Sequence, residues 1–167
     1  MTDRFAAAGH PLLRLRQRAE ADLDALAELW AESWRDAMPH IDFSARLDWF
    51  RIHLPALEAA GAITICGFDA NGRMVGFATV DPETGYLDQL AVAAAVKGSG
   101  AASALLAEAR RVALQPVFLD VNQDNPRALR FYQREGFEAT EAGVNRRSGL
   151  KTWRMRAPAT DCPQGSA

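Results

Sequence analysis

The segment Leu90-Ala91-Val92, followed closely by Lys97-Gly98-Ser99-Gly100-Ala101-Ala102, constrains this chain more than any other. A short apolar strand, Tyr86 to Val92, runs through small residues into two glycines spaced by one. It then opens directly into an alanine- and leucine-rich helix expected over Ala101 to Leu114. Without Cβ atoms, Gly98 and Gly100 reach φ angles closed to other residues and let a ligand come against the main chain. The first turn of a helix leaves backbone N–H groups without intrahelical partners, and its dipole favours negative charge. Strand, glycine turn and helix N-terminus together make an anion cradle, most often for phosphate. Lys97 adds a positive charge at its edge.

Several phosphate-binding folds use such a turn. The P-loop places its lysine after the glycines, whereas Lys97 precedes them. The dinucleotide fold needs a third glycine where Ser103 stands, although Asp120 lies at the roughly twenty-residue spacing of that fold's acidic residue. Taken alone, the glycine pair is equally a tight turn.

A second motif discriminates. Val121-Asn122-Gln123-Asp124-Asn125-Pro126-Arg127-Ala128 leads into Leu129-Arg130-Phe131-Tyr132-Gln133-Arg134-Glu135-Gly136-Phe137. This resembles the later signature of the GNAT superfamily of N-acetyltransferases: Asn, Ala three residues on, an aromatic-Tyr pair, then Gly-Phe closing the helix. The Lys97–Ala102 segment resembles that superfamily's pyrophosphate motif, Gln/Arg-x-x-Gly-x-Gly/Ala. The resemblance is strong from about Met74 to Met155 and general in the first sixty residues. Three positions depart from it. Lys97 replaces Gln or Arg, Ala102 replaces the commoner final glycine, and Ala94 takes a position often held by proline. Lysine still offers charge to a phosphate, without the planar fork of arginine.

The resemblance implies a mixed α/β fold in the order β-α-α-β-β-β-α-β-α-β-β. Its sheet would splay between the Tyr86–Val92 and Val117–Val121 strands to admit the pantetheine arm of acetyl-CoA. Periodicity agrees on the elements. Leucines and tryptophans at 23, 26, 30 and 34 share one helical face, and Met38-Pro39-His40 breaks that helix. Phe43, Leu47, Phe50 and Leu54 repeat on a second helix that Pro55 is expected to kink or end. Asn71-Gly72 marks a hairpin between 62–68 and 74–80. In the helix after the glycine turn, Ala102, Leu105, Leu106, Ala109, Val112 and Ala113 are the expected buried stripe. Val117 to Val121 reads as a continuous apolar, central strand. Ser148-Gly149 turns a last hairpin.

Length and composition set the class. The chain has 167 residues and a net charge of −2, room for one domain with a proper core. That domain is expected over 12–157, with a loose leader at 1–11 and a disordered tail at 158–167. The charge balance excludes the strong basic bias of a nucleic-acid protein. No apolar run reaches membrane-spanning length, and a signal-peptide core is lacking, so a cytoplasmic location is expected. Two cysteines, Cys66 and Cys162, give no disulfide framework. His10, His40 and His53 show no metal-ligand spacing, so no metal is assigned. A homodimer is the commonest closed assembly for such a chain.

For catalysis, the resemblance implies that backbone groups at Leu90, Ala91 and Val92 pair with the pantetheine and polarise the thioester carbonyl. Main-chain N–H groups of Gly98, Ser99, Gly100, Ala101, Ala102 and Ser103, with Lys97 beside them, would bind the pyrophosphate. Asn125, Ala128 and Tyr132 match further cofactor contacts; Asn125 reads equally as a helix cap before Pro126. Tyr132 is the family's candidate general acid for the departing thiolate, or else a packed aromatic. Asp120 and Asp88 are both candidate general bases, or else structural carboxylates. On the acceptor side stand Trp30, Trp34, His40 and Asp42, with Asp36, Met38, Trp49 and the hairpin residues Asn145, Arg146 and Arg147 nearby. Two of the three tryptophans are expected to be core. The expected activity is direct transfer of an acetyl group from acetyl-CoA to a primary amine of a small molecule. The alternatives are a peptide or protein N-terminal acetyltransferase, or a non-catalytic acyl-CoA-binding module.

Overall fold

The computed structural model describes residues 4–5 and 13–157, so the expected tail and most of the expected leader lie outside the described residues. The chain divides into two compact units, Met1–Gln115 and Pro116–Ala167.

The first unit is built on five strands in sequential order: β1 (Arg4–Phe5), β2 (Arg14–Gln17), β3 (Ile63–Phe68), β4 (Met74–Val80) and β5 (Leu87–Val92). Neighbours pair antiparallel throughout. Arg4–Phe5 lies inside the expected leader yet pairs with Leu15 and Arg14. Helices α1 (Leu23–Ala37) and α2 (Leu47–Ala59) pack on each other, and α3 (Ala101–Val112) packs against β3, β4 and β5. The β3–β4 hairpin turns where Asn71-Gly72 predicts. Gly72 sits at φ 79°, and the Asp69 carboxylate accepts from the N–H groups of Asn71 and Arg73.

The core collects Leu26, Trp30, Phe50, Leu54, Ile65, Phe77, Val80, Leu105 and Leu106. Gly76 matters here because a Cβ at that position would stand 2.7 Å from Leu105 Cδ1, so its absence lets α3 lie close on β4. Cys66 is fully buried, and burial pushes its thiol up to about 12. Just past the end of β2, the Arg18 guanidinium forks onto Glu58; burial raises the Glu58 carboxyl, but hydrogen bonds from Arg18 and Thr64 together with the Arg18 charge outweigh it and hold the group low.

Several details differ from expectation. Pro55 lies inside α2, which continues to Ala59. Proline leaves the Arg51 carbonyl without its intrahelical donor, and the burial of Phe50 and Leu54 in the turns before it holds the helix in place through it. The buried stripe of α3 is Ala101, Leu105, Leu106 and Ala109, while Ala102, Val112 and Ala113 are only half-buried. Small residues on every side of this helix blur the stripe in the sequence.

The second unit comprises β6 (Phe118–Asn122), α4 (Pro126–Arg134), β7 (Glu138–Val144) and β8 (Lys151–Arg156), with an antiparallel sheet in the order β6-β8-β7. Its buried residues include Leu119, Val121, Tyr132, Phe137 and Met155. The expected mixed sheet is thus two antiparallel sheets, in which β5 and β6 are each edge strands. Accordingly β6 is not the doubly covered strand its run of apolar residues suggests. Leu119 and Val121 turn inward, and Asp120 between them is exposed. Strand alternation alone accounts for this.

Candidate active site

Strand β5 leads through Ala93, whose N–H donates to Val75 O at 2.8 Å, and a turn of 3-10 helix at Ala94–Val96 into the two glycines. Gly98 has φ 78° and Gly100 φ 90°, both in the left-handed region. A Cβ on Gly98 would meet nothing within 4 Å, so glycine is required there by backbone conformation rather than by crowding. Gly100 is the N-cap of α3 and has no side chain to cap it, while the Ser99 hydroxyl oxygen accepts a long bond from the Ala101 N–H at 3.4 Å. The Ser99 N–H is occupied, donating to Val96 O at 3.1 Å, and its hydroxyl donates to the same carbonyl at 2.5 Å. Ser99 therefore shapes the turn with its own N–H instead of offering it outward. Lys97 forms an ion pair with Asp36 from the last turn of α1. A glycine turn at a helix start with an adjoining ammonium group has the donor chemistry that a pyrophosphate needs.

Within β5 the ladder to β4 slips. Thr79 pairs with Gln89 but Val80 pairs with Leu87, which leaves Asp88 as an extra residue. Such a bulge interrupts the alternation of side chains and re-aims them. Consecutive residues here both reach the helix layer. Gln89 Oε1 accepts from Trp30 Nε1 of α1 at 3.1 Å, and Asp88 Oδ1 lies 3.3 Å from His53 Nε2 of α2. Gln89 Nε2 donates to the same Asp88 oxygen at 3.1 Å. Trp49 stacks on His53 with ring centroids 4.3 Å apart. His53 and Asp88 are each about a fifth to a quarter exposed, with side-chain values of 24% and 21%. Beyond the bulge, Leu90 and Val92 resume the ladder opposite Ala78 and Gly76.

The remaining acceptor-side candidates scatter. Trp30 is buried, stacked on Phe50 and edge-on to Phe43. Trp34 is half-buried and stacks on Phe43, so one of the three tryptophans is full core and two are partly accessible. His40 is exposed. Asp42 is exposed and accepts from the Ser44 N–H at 3.0 Å, a local turn contact. Met38 is buried.

In the second unit, Asn125 Oδ1 accepts from Ala128 N–H at 3.2 Å, so the capping reading of Asn125 describes its geometry. Tyr132 is buried on α4 with its ring edge-on to Phe131 and Phe137. Burial pushes its phenol above the ordinary tyrosine range by disfavouring the charged phenolate. Both oxygens of Asp120 are engaged by Arg154 across the β6–β8 ladder, each at 3.0 Å. Asn145 accepts from the N–H groups of Arg147 and Ser148 and so shapes its turn, leaving Arg146 and Arg147 exposed.

From the sequence, His53 is weighed only as a metal ligand, and Gln89 is not singled out. His53 lies four residues after Trp49 on one face of α2, a spacing that was available. The bulge that turns Asp88 and Gln89 to the same side has no signal in the sequence.

Comparison with known proteins agrees with this layout. The model of the acetyltransferase (GNAT) family matches residues 23–137. The chain is 28% identical over 148 residues to the peptidyl-lysine N-acetyltransferase YiaC of Escherichia coli, covering 86% of this chain and 96% of that protein. Two solved structures share the fold. The apo form of Escherichia coli YjaB has a TM-score of 0.74 at 20% identity, covering 89% of this chain and 99% of that one. The PaiA N-acetyltransferase of Thermoplasma acidophilum, in complex with coenzyme A, has a TM-score of 0.73 at 17% identity, covering 87% and 98%. The chain belongs to the acetyltransferase (GNAT) family, enzymes that move an acyl group from acetyl-CoA to an acceptor.

Proposed function

We propose that this protein transfers an acetyl group from acetyl-CoA directly to a primary amine of a small molecule. The left-handed Gly98 and Gly100 at the start of α3 carry the cofactor half of that reading. Backbone N–H groups of this turn bind the pyrophosphate, with Lys97 beside them and Ser99 as a shaping residue. Leu90, Ala91 and Val92 present β5 backbone to the pantetheine, and an oriented donor there stabilises charge on the thioester oxygen, an effect of ~3 kcal/mol per donor. The bound cofactor supplies the activated acetyl thioester.

Tyr132, whose phenol carries its proton at neutral pH with or without burial, gives that proton to the departing sulfur. Asp88 is the better placed carboxylate for the amine, since the contacts holding it run through Oδ1, whereas Arg154 occupies both oxygens of Asp120. Direct transfer also fits Cys66, whose raised pKa leaves no thiolate for an acyl-enzyme. The family match runs across both units, which supports reading 12–157 as one acetyltransferase domain. Among the described residues no helix is long and apolar enough to cross a membrane, in keeping with a cytoplasmic location.

A second reading, transfer to a lysine side chain of a peptide, draws on the resemblance to YiaC. Thiol release from acetyl-CoA, followed with amines, polyamines, amino acids and lysine-containing peptides, tests both. Release with free amines but not peptides supports the first reading, and the converse supports the second. Stabilisation by acetyl-CoA with no release from any acceptor points to a non-catalytic binding module.

A further inference from the structure

We infer that His53 holds the proton released by the acceptor amine, receiving it through Asp88. This rests on the amine-acetyltransferase reading above and adds to it the destination of the proton. An amine in neutral water is mostly an ammonium ion, which has no lone pair for attack on a carbonyl. It must first lose a proton to a group that stays nearby and can hold it.

The bulge in β5 supplies such an arrangement. Asp88 is the extra residue, two positions before Leu90, and its side chain is turned toward α2 instead of along the strand's regular alternation. Its Oδ1 accepts from Gln89 Nε2 at 3.1 Å and lies 3.3 Å from His53 Nε2. Gln89 is itself anchored by Trp30 Nε1 at 3.1 Å, and Trp30 is buried. Trp49 fixes the plane of the imidazole by stacking at 4.3 Å. The carboxylate is therefore gripped from a rigid core on one side and borders an imidazole on the other. Both members of the pair remain partly exposed, so an acceptor can reach them.

Among the described residues, the ion pair of His53 is with Asp88. From β5 comes Asp88, with the neutral amide of Gln89 beside it. On its own helix the neighbouring charges are Asp48 and Arg51, and Arg51 is engaged by Asp24 of α1 at 3.0 Å. The carboxylate that meets the imidazole is thus Asp88.

In the step itself, an N–H bond of the ammonium breaks and its proton passes to the Asp88 carboxylate. With the neutral imidazole in its Nδ1–H tautomer, the proton moves on to the lone pair of His53 Nε2, where a new N–H bond forms and Asp88 returns to its charged state. The amine keeps the freed electron pair for attack. The imidazolium later loses this proton to solvent, which closes the cycle without oxidant or reductant. A carboxylate alone would be a weak proton acceptor at neutral pH, whereas an imidazole titrates near pH ~6.5. Asp88 touches the amine in this scheme, and His53 acts through it as a positioning and proton-holding residue.

The test compares His53→Phe, which keeps a ring to stack on Trp49, with His53→Gln, which keeps an N–H for Asp88 but cannot hold a proton. The readouts are the pH profile of kcat with an active amine, the acetyl-CoA Kd and the thermal midpoint. Both variants should retain the wild-type Kd and midpoint. Each should lose about 100-fold in kcat at pH 7, at the lower end of general-base effects, and the acid limb of the profile should shift. An acid limb unchanged in His53→Phe overturns the proposal. So does recovery of wild-type kcat and profile in His53→Gln, which would make His53 only an orienting donor. Neither outcome disturbs the acetyltransferase reading. A wild-type protein that neither binds acetyl-CoA nor releases thiol defeats that reading and this one with it.

Discussion

Helices α3 and α4 begin in contrasting ways. The first starts on Gly100, in the left-handed conformation, with only the 3.4 Å contact of the Ser99 hydroxyl to its first N–H. The second starts on Asn125, whose Oδ1 takes the Ala128 N–H, and on Pro126, which has no N–H to satisfy. A third helix, α1, has Asp22 at its N-cap, yet that carboxylate serves Arg16 at 2.7 and 3.1 Å and the Ala19 N–H at 2.7 Å. Orphan donors at a helix start must find partners. Where the protein supplies them, as in α4, the start is a structural joint. Where it supplies only a long side-chain contact behind positive-φ glycines, as in α3, the start suits an anion. On the proposed function, α3 would contribute its end and α4 a residue from its body, Tyr132.

The largest expected effect breaks that division on the α4 side. Tyr132→Phe keeps the packing against Phe131 and Phe137 and removes the proton donor, so turnover should fall about 10²- to 10⁴-fold. Steady-state rates with an active amine check this, while acetyl-CoA affinity should hold within a few-fold.

On the α3 side, Gly100→Leu should weaken acetyl-CoA binding about 100-fold, equivalent to ~2.7 kcal/mol, as measured by calorimetry. Its backbone strain is controlled by Gly136→Ala. Gly136 has nearly the same φ, 88°, beyond the end of α4, so that variant should lose stability and keep the affinity.

Asn125→Ala sharpens the contrast by removing a cap, with an expected stability loss of ~1 kcal/mol in urea unfolding. Loss of affinity far beyond that of the cap would show that Asn125 also contacts the cofactor.

The smallest effect concerns α1. Hydrogen bonding from Arg16 holds the Asp22 carboxyl below the usual aspartate range. A lowered folded-state pKa stabilises above the unfolded value of ~3.9 and loses that contribution as pH falls through the folded value. Asp22→Asn should therefore lower stability at pH 7 by somewhat under ~1 kcal/mol, given its partial exposure. The gap from wild type should close below pH 4, which unfolding curves at pH 7 and pH 3 would reveal.

How much of this was legible in the sequence follows from the range of each interaction. The glycine turn, the Asn71-Gly72 hairpin and the cap at Asn125-Pro126 depend on residues within a few positions, and they stand where local chemistry puts them. The fate of Pro55 was not legible, because tertiary burial of Phe50 and Leu54 overrides the local cost. Nor was the edge position of β6, since an apolar run looks alike in central strands and in edge strands. The bulge at Asp88 depends on register with β4, and the partnership of Asp88 with His53 joins residues from β5 and α2. The Arg154 fork on Asp120 is likewise a cross-strand event. Single carboxylates could be named as candidates from the chain, but not their partners.

The thiol of Cys66 carries one further consequence. With its pKa near 12 and no exposure, it is invisible to alkylating or disulfide reagents while β3 stays in the sheet. In a Cys162→Ser background it becomes the single thiol of the chain. Its labelling rate then clocks how often the centre of the first sheet opens, so the protein carries an intrinsic gauge of its own local unfolding.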